Sequence, residues 1–243
     1  MSHFIFPDWP APSGVRAAST LRTGGVSHAP FDTFNLGAHV GDDPALVAEN
    51  RRRLRRELQL SVEPFWLEQV HGTRVVRAAE GGQPQIADGA VALEPGPVCA
   101  VMTADCLPVL FCSRDGKRVA VAHAGWRGLV AGVLEETVRA LQAPGEELIC
   151  WLGPAIEPEH FEVGPEVRAA FVERDPVAGR AFVPLASGKW LADLYALARL
   201  RLGRLGVESI HGGERGTFRE RAAFFSFRRD GRCGRMATLI WIE

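Results

Sequence analysis

Short runs of apolar residues, each bounded by polar or turn-forming residues, recur through the first two thirds of the chain. Most of these runs are only a few residues long and rich in valine, leucine and alanine, which is typical of buried strands rather than helices. We therefore predict strands over residues 98–103, 109–112, 119–122 and 148–152, and a strand over 65–76 that is broken near His71 and Gly72.

Helices are predicted where a capping residue precedes apolar positions at helical spacing. The clearest helix follows Asp43, with Pro44 in its first turn and apolar side chains at Val47, Leu54 and Leu58. The same criteria predict further helices over residues 129–141, 165–174 and 194–205.

The C-terminal residues predict a closing hairpin, with strands at 223–227 and 236–242 joined by a turn around Asp230 and Gly231. Strands and helices are mixed along the chain without a regular βαβ alternation, which favours an α+β fold over a doubly wound sheet. No repeat, low-complexity segment or long linker divides the sequence, so we predict one domain over residues 1–243.

Composition narrows the class of protein without identifying it. The 243 residues are 47% hydrophobic and 23% charged, with 28 basic against 29 acidic side chains. This balance does not favour a nucleic acid or an anionic membrane as a partner. No stretch approaches the roughly 18–20 apolar residues that span a bilayer, and the N-terminus lacks the layout of a signal peptide. Five cysteines are far from a disulfide scaffold, so we expect a cytoplasmic protein.

Three residues able to bind a metal or to carry out catalysis lie at the ends of predicted strands: His71, Cys106 and His123. Strand ends and turns are where a scaffold presents reactive groups. Two imidazoles and a thiolate could hold zinc with a fourth position open, or a cysteine nucleophile could work beside a histidine base. The three could also have no joint role, because their spacing matches no compact metal motif. The residues alone leave all three possibilities open.

Other polar positions nearby have both a structural and a functional interpretation. Asp105 could orient a ligand histidine, or it could only satisfy backbone amides in a turn. Arg127, in a glycine-flanked turn before a helix, could bind an anion such as phosphate, although such turns are often only structural. Arg228, near the end of a predicted strand, could face a pocket or lie on a surface hairpin.

A set of longer motifs occurs in order along the chain: Asn35-Leu36-Gly37, Trp66-Leu67-Glu68-Gln69-Val70-His71-Gly72, Ala87-Asp88-Gly89, Thr103-Ala104-Asp105-Cys106-Leu107-Pro108-Val109, Ala122-His123-Ala124-Gly125-Trp126-Arg127-Gly128, Leu152-Gly153-Pro154-Ala155-Ile156 and Phe224-Phe225-Ser226-Phe227-Arg228-Arg229-Asp230. The chain thereby resembles the YfiH family, whose members are also labelled laccase-domain or multicopper polyphenol oxidase proteins. The resemblance runs from about Thr20 to the C-terminus.

This resemblance implies a purine nucleoside enzyme that phosphorolyses adenosine, inosine and S-methyl-5′-thioadenosine and also deaminates adenosine. The family's metal and catalytic residues, two histidines and a cysteine, fall here on His71, Cys106 and His123, with zinc, or else copper, as the metal. As candidates for binding substrate or phosphate we take four further residues: Arg127, Arg228, Gln69 and Asn35.

The fold that the resemblance implies is a layered α/β/β/α sandwich similar to hydrolases of the cytotoxic-necrotizing-factor type. The implied partners are purine nucleosides and phosphate, bound by a monomer or small homo-oligomer. A second interpretation is a Cys–His hydrolase that edits peptidoglycan, since some bacterial members are linked to that process. A laccase is disfavoured, because seven histidines without one His-x-His pair do not supply the ligands of a multicopper relay.

Overall fold

The computed structural model describes residues 3–243, and within them the two largest β-sheets pack face to face, beside a three-stranded sheet and a two-stranded sheet. Along this part of the chain the strands are β1 (Phe4–Ile5), β2 (Val15–Thr20), β3 (Leu67–Glu68), β4 (Val75–Arg77), β5 (Gln85–Ile86), β6 (Gly89–Ala92), β7 (Cys99–Thr103), β8 (Leu107–Ser113), β9 (Val119–Ala124), β10 (Leu148–Leu152), β11 (Glu162–Val163), β12 (Phe182–Pro184), β13 (Trp190–Ala192), β14 (Ser209–Gly212) and β15 (Met236–Ile242). The helices are α1 (Pro44–Glu57), α2 (Trp126–Ala131), α3 (Val133–Leu141), α4 (Pro165–Arg174), α5 (Leu194–Arg204) and α6 (Phe227–Asp230).

The six-stranded sheet, in the order β14-β10-β8-β9-β6-β4, forms the centre of the protein. Strand β8 runs antiparallel to β9 and β10, with Leu110 opposite Val121 on one side and Trp151 on the other. Every residue of these three strands is buried, because both faces of the sheet are covered. Burial on both faces explains their continuous apolar runs, and the strands predicted at these positions are confirmed.

The four-stranded sheet has the order β1-β2-β15-β7. Its strand β15 runs antiparallel to both neighbours, with Thr238 opposite Ser19 of β2 and Val101 of β7. The buried hydroxyl groups of Ser19 and Thr238 lie 2.9 Å apart and hydrogen-bond to each other between the strands. Strand β7 confirms the strand predicted over residues 98–103.

The predicted C-terminal hairpin is wrong. The segment before α6 forms no strand, and α6 begins at Phe227 because the hydroxyl of Ser226 accepts a hydrogen bond from the amide of Arg229. The apolar pattern that suggested a strand comes from Phe224 and Phe225, whose rings are fully buried in a small core cluster. Strand β15 is present but pairs with β2 and β7 instead.

Helices cover the outer face of each sheet. On the four-stranded sheet, Leu54 of α1 belongs to the same buried cluster as Leu239 of β15. On the six-stranded sheet, Leu134 of α3 belongs to a cluster with Ala122 of β9. A further cluster, which includes Val101 of β7, fills the space between the sheets. The layer order is therefore α/β/β/α, as predicted.

The helix predicted over residues 129–141 is in fact two helices. Helix α2 ends at Ala131, Gly132 adopts a φ of +114°, and α3 begins at Val133. This backbone conformation is open to glycine and costly for L side chains. The other three predicted helices are confirmed as α1, α4 and α5, and none of the helices within residues 3–243 is long and apolar enough to cross a membrane.

Candidate metal centre

Three chain segments bring His71, Cys106 and His123 together. His71 lies in the loop after β3, Cys106 directly precedes β8, and His123 lies in β9 opposite Pro108 of β8. The Cys106 Sγ and His71 Nε2 atoms are 3.7 Å apart, and the centroids of the two imidazole rings are 4.8 Å apart. One ligand atom from each residue lies within 4.8 Å of the other two. These three residues, here called the triad, could therefore hold one metal ion.

A fully buried carboxylate, that of Asp88, connects the two histidines. Its Oδ1 accepts hydrogen bonds from His123 Nδ1 at 2.8 Å and from the amide of His71 at 2.9 Å. Its Oδ2 accepts from the amides of Gly72 at 2.6 Å and Val70 at 3.2 Å. Burial opposes ionisation of Asp88, but the hydrogen bonds from His123 and the loop amides hold the pKa of the carboxyl below its usual range.

The hydrogen bond to Asp88 also determines which nitrogen of His123 is free. A carboxylate acceptor keeps a proton on Nδ1, so the neutral form of His123 carries its lone pair on Nε2, where it can bind a metal ion. Histidines that bind metals commonly donate their other ring N–H to a carboxylate in this way. The arrangement of Asp88 and His123 therefore fits a metal ligand.

Asp105, for which the sequence suggested this orienting role, does not contact a histidine. Its Oδ1 accepts a hydrogen bond from Thr217 Oγ1 at 2.6 Å, and its Oδ2 accepts from the amide of Arg228 at 2.7 Å. The backbone of Asp105 has a φ of +95°, which is costly for a residue with a Cβ. Its side chain therefore ties the strained turn that presents Cys106 to the distant segments of Thr217 and Arg228.

The thiol and the buried imidazole shift each other's ionisation. Burial opposes a charged Cys106, but the adjacent rings of His123 and His71 lower the pKa of the thiol to about 6. Burial also opposes a charged His123, while the Cys106 thiolate and the Asp88 carboxylate raise the pKa of the imidazole to about 9. The site therefore favours the thiolate, which is the form in which cysteine binds metals or attacks substrates.

The turn before α2 packs directly against the triad because it contains Gly125. A Cβ at this position would lie 2.8 Å from His71 Cδ2 and 3.0 Å from Cys106 Sγ. Both distances are too short for unstrained carbon contacts, so any side chain here would displace one of the two candidate ligands.

The triad opens into a cavity of about 260 Å³, here called the triad cavity. Its lining combines aromatic, apolar and basic side chains: His39, Gln69, His71, Met102, Thr103, Ala104, Cys106, His123, Phe227 and Arg235. The side chain of Gln69 is fixed by two hydrogen bonds to the backbone of Met102, at 2.9 Å and 2.8 Å. The structure thus brings four predicted site residues, the triad and Gln69, to one cavity.

The other three predicted binding residues lie outside this lining. Arg127 is exposed, and its guanidinium lies over the adjacent indole ring. Arg228 folds away from the triad cavity and donates a hydrogen bond to the carbonyl of Glu162 at 2.8 Å. Asn35 is fully buried, where its side chain hydrogen-bonds to the loop that contains it. None of these three side chains therefore lines the triad cavity.

Several residues of the site were not predicted from the sequence. Asp88 is part of a motif noted above, but a single aspartate between alanine and glycine is typical of an ordinary turn. His39, Phe227 and Arg235 come from segments distant in sequence, and no spacing or composition marks them as neighbours of the triad.

Comparison with known proteins identifies the family. The family model described as multi-copper polyphenol oxidoreductase laccase matches residues 16–243. The chain is also 55% identical to the Escherichia coli K12 protein named purine nucleoside phosphorylase YfiH, with 100% of both chains covered. The chain belongs to the YfiH family. This member is likewise similar to a protein of Pseudomonas aeruginosa named purine nucleoside phosphorylase, with 57% identity and 100% of both chains covered.

Solved structures confirm the fold of this YfiH-family chain. A crystal structure of a Neisseria meningitidis protein superimposes with a TM-score of 0.97 at 51% identity and covers 100% of both chains. The crystal structure of YlmD from Geobacillus stearothermophilus gives a TM-score of 0.92 at 33% identity, covering 100% of this chain and 97% of YlmD. The mixed α+β architecture is therefore common to these proteins.

Proposed function

We propose that the protein is a zinc-dependent purine nucleoside phosphorylase that acts on adenosine, inosine and S-methyl-5′-thioadenosine and also deaminates adenosine. The observation that carries the proposal is the convergence of His71, Cys106 and His123 on one cavity. The names of full-length relatives support the assignment of this cavity to purine nucleoside chemistry.

Zinc suits the triad because two imidazoles and a thiolate form a three-ligand set that leaves a fourth position for water or substrate. Copper would also accept these ligands. When bound, zinc would act as a Lewis acid and lower the pKa of a water molecule positioned for attack on C6 of adenine. The residues around the triad fix its geometry: Asp88 orients His123 and holds the loop of His71.

Phosphorolysis requires that the cavity hold a nucleoside and hydrogen phosphate together. An oxygen of hydrogen phosphate bonds to C1′ of the ribose while the bond from C1′ to N9 breaks and leaves its electron pair on N9. The proton of hydrogen phosphate ends on the purine, so the products are ribose 1-phosphate and free base. Within the part of the chain that the structure describes, no carboxylate lines the triad cavity to repel the phosphate. Met102, Ala104 and Phe227 offer apolar surface to the purine.

The test is product analysis with enzyme whose zinc content has been measured. With inosine we expect hypoxanthine and ribose 1-phosphate only when phosphate is present. With adenosine we expect inosine and ammonia even without phosphate. Enzyme carrying one zinc per chain that releases no base from inosine in the presence of phosphate would refute the phosphorylase assignment.

A second candidate function is a metal-independent Cys–His hydrolase that acts on an amide of a cell-wall peptide. The observation in its favour is the alignment of Asp88, His123 and Cys106, since a carboxylate, an imidazole and a thiol in that order also activate a cysteine nucleophile. Alkylation separates the two candidates. A thiolate that binds zinc reacts slowly until the metal is chelated, whereas a free nucleophile reacts fast in the enzyme as isolated and retains its activity without zinc.

An oxidase with several copper ions is not supported by the site. Within residues 3–243, the triad is the one group of three or more histidine, cysteine or acidic side chains arranged to share a metal ion. A blue-copper centre coupled to a copper cluster would need further groups of ligands.

A further inference from the structure

Arg235 lies in the wall of the triad cavity, directly before β15. Its guanidinium Nη1 donates hydrogen bonds to the carbonyl oxygens of Cys233 at 2.9 Å and Gly234 at 3.0 Å. Its backbone amide donates to Asn35 Oδ1 at 2.9 Å. These contacts anchor one edge of the guanidinium and the main chain that carries it.

The other edge of this guanidinium has no protein partner. Within the described residues, neither Nε nor Nη2 of Arg235 has a hydrogen-bond acceptor, and no carboxylate forms an ion pair with it. Elsewhere in the protein, arginines near the surface commonly pair with acids, as Arg229 does with Asp230 at 2.7 Å. An arginine that faces a cavity without a counter-charge, and with two N–H donors free, is suited to bind an anion.

The surroundings of Arg235 strengthen this electrostatic argument. Among the described residues, no aspartate or glutamate lines the triad cavity, and His39 lines it together with Arg235. Partial burial, and then the positive charges of Arg235 and Arg51, lower the pKa of His39. The imidazole is therefore neutral at physiological pH and can donate a hydrogen bond without a charge of its own, while the arginines supply the positive potential.

The same residues are accessible from a second side. Arg235, His39 and Phe227 line both the triad cavity and an adjoining cavity of about 360 Å³. The Arg235 Cζ atom lies 5.8 Å from the centroid of the exposed Phe227 ring. An anion held by Arg235 would thus sit where the two cavities meet, next to a nucleoside bound at the triad.

We propose that Arg235 and His39 form the subsite for inorganic phosphate, the substrate that attacks C1′ of the nucleoside. This inference rests on the proposed phosphorylase function and adds to it the residues that bind the second substrate. It moves that role from Arg127 and Arg228, which the sequence suggested, to a residue that no motif identified. Arg235 contributes two N–H donors and a full positive charge to hydrogen phosphate, and His39 contributes one donor.

The test compares Arg235→Met with Arg232→Met. Methionine keeps the length and apolar stem of arginine and removes its charge. Arg232 is a matched control because it lines the adjoining cavity but not the triad cavity, and its guanidinium hydrogen-bonds to the carbonyl of Gly41 at 2.7 Å. For Arg235→Met we expect the KM for phosphate to rise about 10- to 100-fold, the loss typical of a charge-assisted hydrogen-bond pair. The KM for inosine should change less than about threefold.

A direct binding measurement separates this inference from the proposed function. Inorganic phosphate alone is titrated calorimetrically into zinc-loaded enzyme, so that no turnover is needed. Wild type and Arg232→Met should bind with the same Kd, Arg235→Met at least about tenfold more weakly, and Arg235→Lys in between. Circular dichroism and zinc content confirm that each variant is folded and loaded, and Arg235→Lys serves where the methionine variant does not fold.

Three results would overturn the subsite. These are phosphate binding by Arg235→Met that equals the wild type, equal weakening by Arg232→Met, and no measurable binding of phosphate by the wild-type enzyme. Failure of the wild type to release purine base would instead overturn the proposed function, while the titration would still show whether Arg235 holds phosphate.

Discussion

At the scale of single residues, Asp88 links the ring of one triad histidine to the loop that carries the other. It accepts four hydrogen bonds, one from the His123 ring and three from the loop amides of Val70, His71 and Gly72. Four N–H donors surround the carboxylate, so the site requires both its negative charge and its two acceptor oxygens. A residue that hydrogen-bonds to a metal ligand in this way orients the ligand and affects metal affinity without binding the metal itself.

Replacing Asp88 with asparagine should therefore weaken metal binding without removing a ligand. The asparagine side chain has one carbonyl oxygen, and its amide would face N–H donors that it cannot satisfy. We expect zinc affinity to fall about 10- to 100-fold, measured by competition with a chromogenic chelator. Asp115→Asn, in a surface turn before β9, is the control and should bind zinc like the wild type. Equal affinity in both variants would show that Asp88 has no role in the metal site.

Gly125 offers a second test at this scale. In Gly125→Ala the new Cβ would press on His71 and Cys106, and we expect strain of about 1–3 kcal/mol to lower both zinc content and activity. The matched control is Gly203→Ala, because a Cβ at Gly203 in α5 meets no atom within 4 Å. A Gly125→Ala enzyme with full zinc content and activity would contradict the packing described for the triad.

At the scale of elements, the sequence predicted best where one physical cause determines the pattern. Strands β7 to β10 were found because burial on both faces leaves them almost wholly apolar. Strand β2 was not predicted, because Val15–Thr20 includes an exposed arginine and two buried hydroxyl side chains. These hydroxyl groups, of Ser19 and Thr20, hydrogen-bond to residues of β15, more than 200 positions along the chain. The predicted hairpin before β15 was wrong, because the buried Phe224 and Phe225 give a loop the apolar pattern that is typical of a strand.

The break between α2 and α3 was missed for a related reason. Apolar residues continue at helical spacing through Gly132, so the pattern alone indicates one helix. The structure requires a φ of +114° at this glycine, and this value cannot be inferred from the spacing of side chains.

Gly132→Ala should therefore destabilise the protein by about 1–2 kcal/mol, the cost of placing a Cβ in a left-handed conformation. Gly203→Ala, in the interior of α5, should be neutral or stabilising by up to about 1 kcal/mol. Urea denaturation followed by circular dichroism measures both changes. If Gly132→Ala proved as stable as the wild type, the helix would be able to run on through this residue.

At the scale of the whole molecule, the layered fold explains why part of the site was predictable. Cys106 and His123 lie at the start of β8 and near the end of β9, two apolar strands that pair in the six-stranded sheet. His71 follows β3, which pairs with β5 in a separate two-stranded sheet. Asp88 and Arg235 directly precede β6 and β15, and His39 lies in the loop before α1. All three meet the triad through contacts between segments far apart in sequence, and one sequence carries no local signal of such contacts.

The same architecture predicts that the metal is not needed for folding. Separate apolar clusters fill the space between the sheets and under the helices of both outer layers, and a core of this extent is stable without a metal. We expect chelated enzyme to keep its circular dichroism spectrum and to unfold cooperatively, with a Tm lower by roughly 5–10 °C. Loss of cooperative unfolding on chelation would indicate a structural metal instead.

The central claim is that the triad is a metal centre for purine nucleoside phosphorolysis, with Cys106 as a ligand. The most direct measurement is the rate of hypoxanthine release from inosine and phosphate as zinc is titrated into metal-free enzyme, with Cys106→Ala in parallel. We predict activity that rises in proportion to bound zinc and saturates at one zinc per chain, and neither zinc retention nor activity in the variant. Full activity in zinc-free enzyme, with a covalent adduct on Cys106 detected by mass spectrometry, would contradict the account.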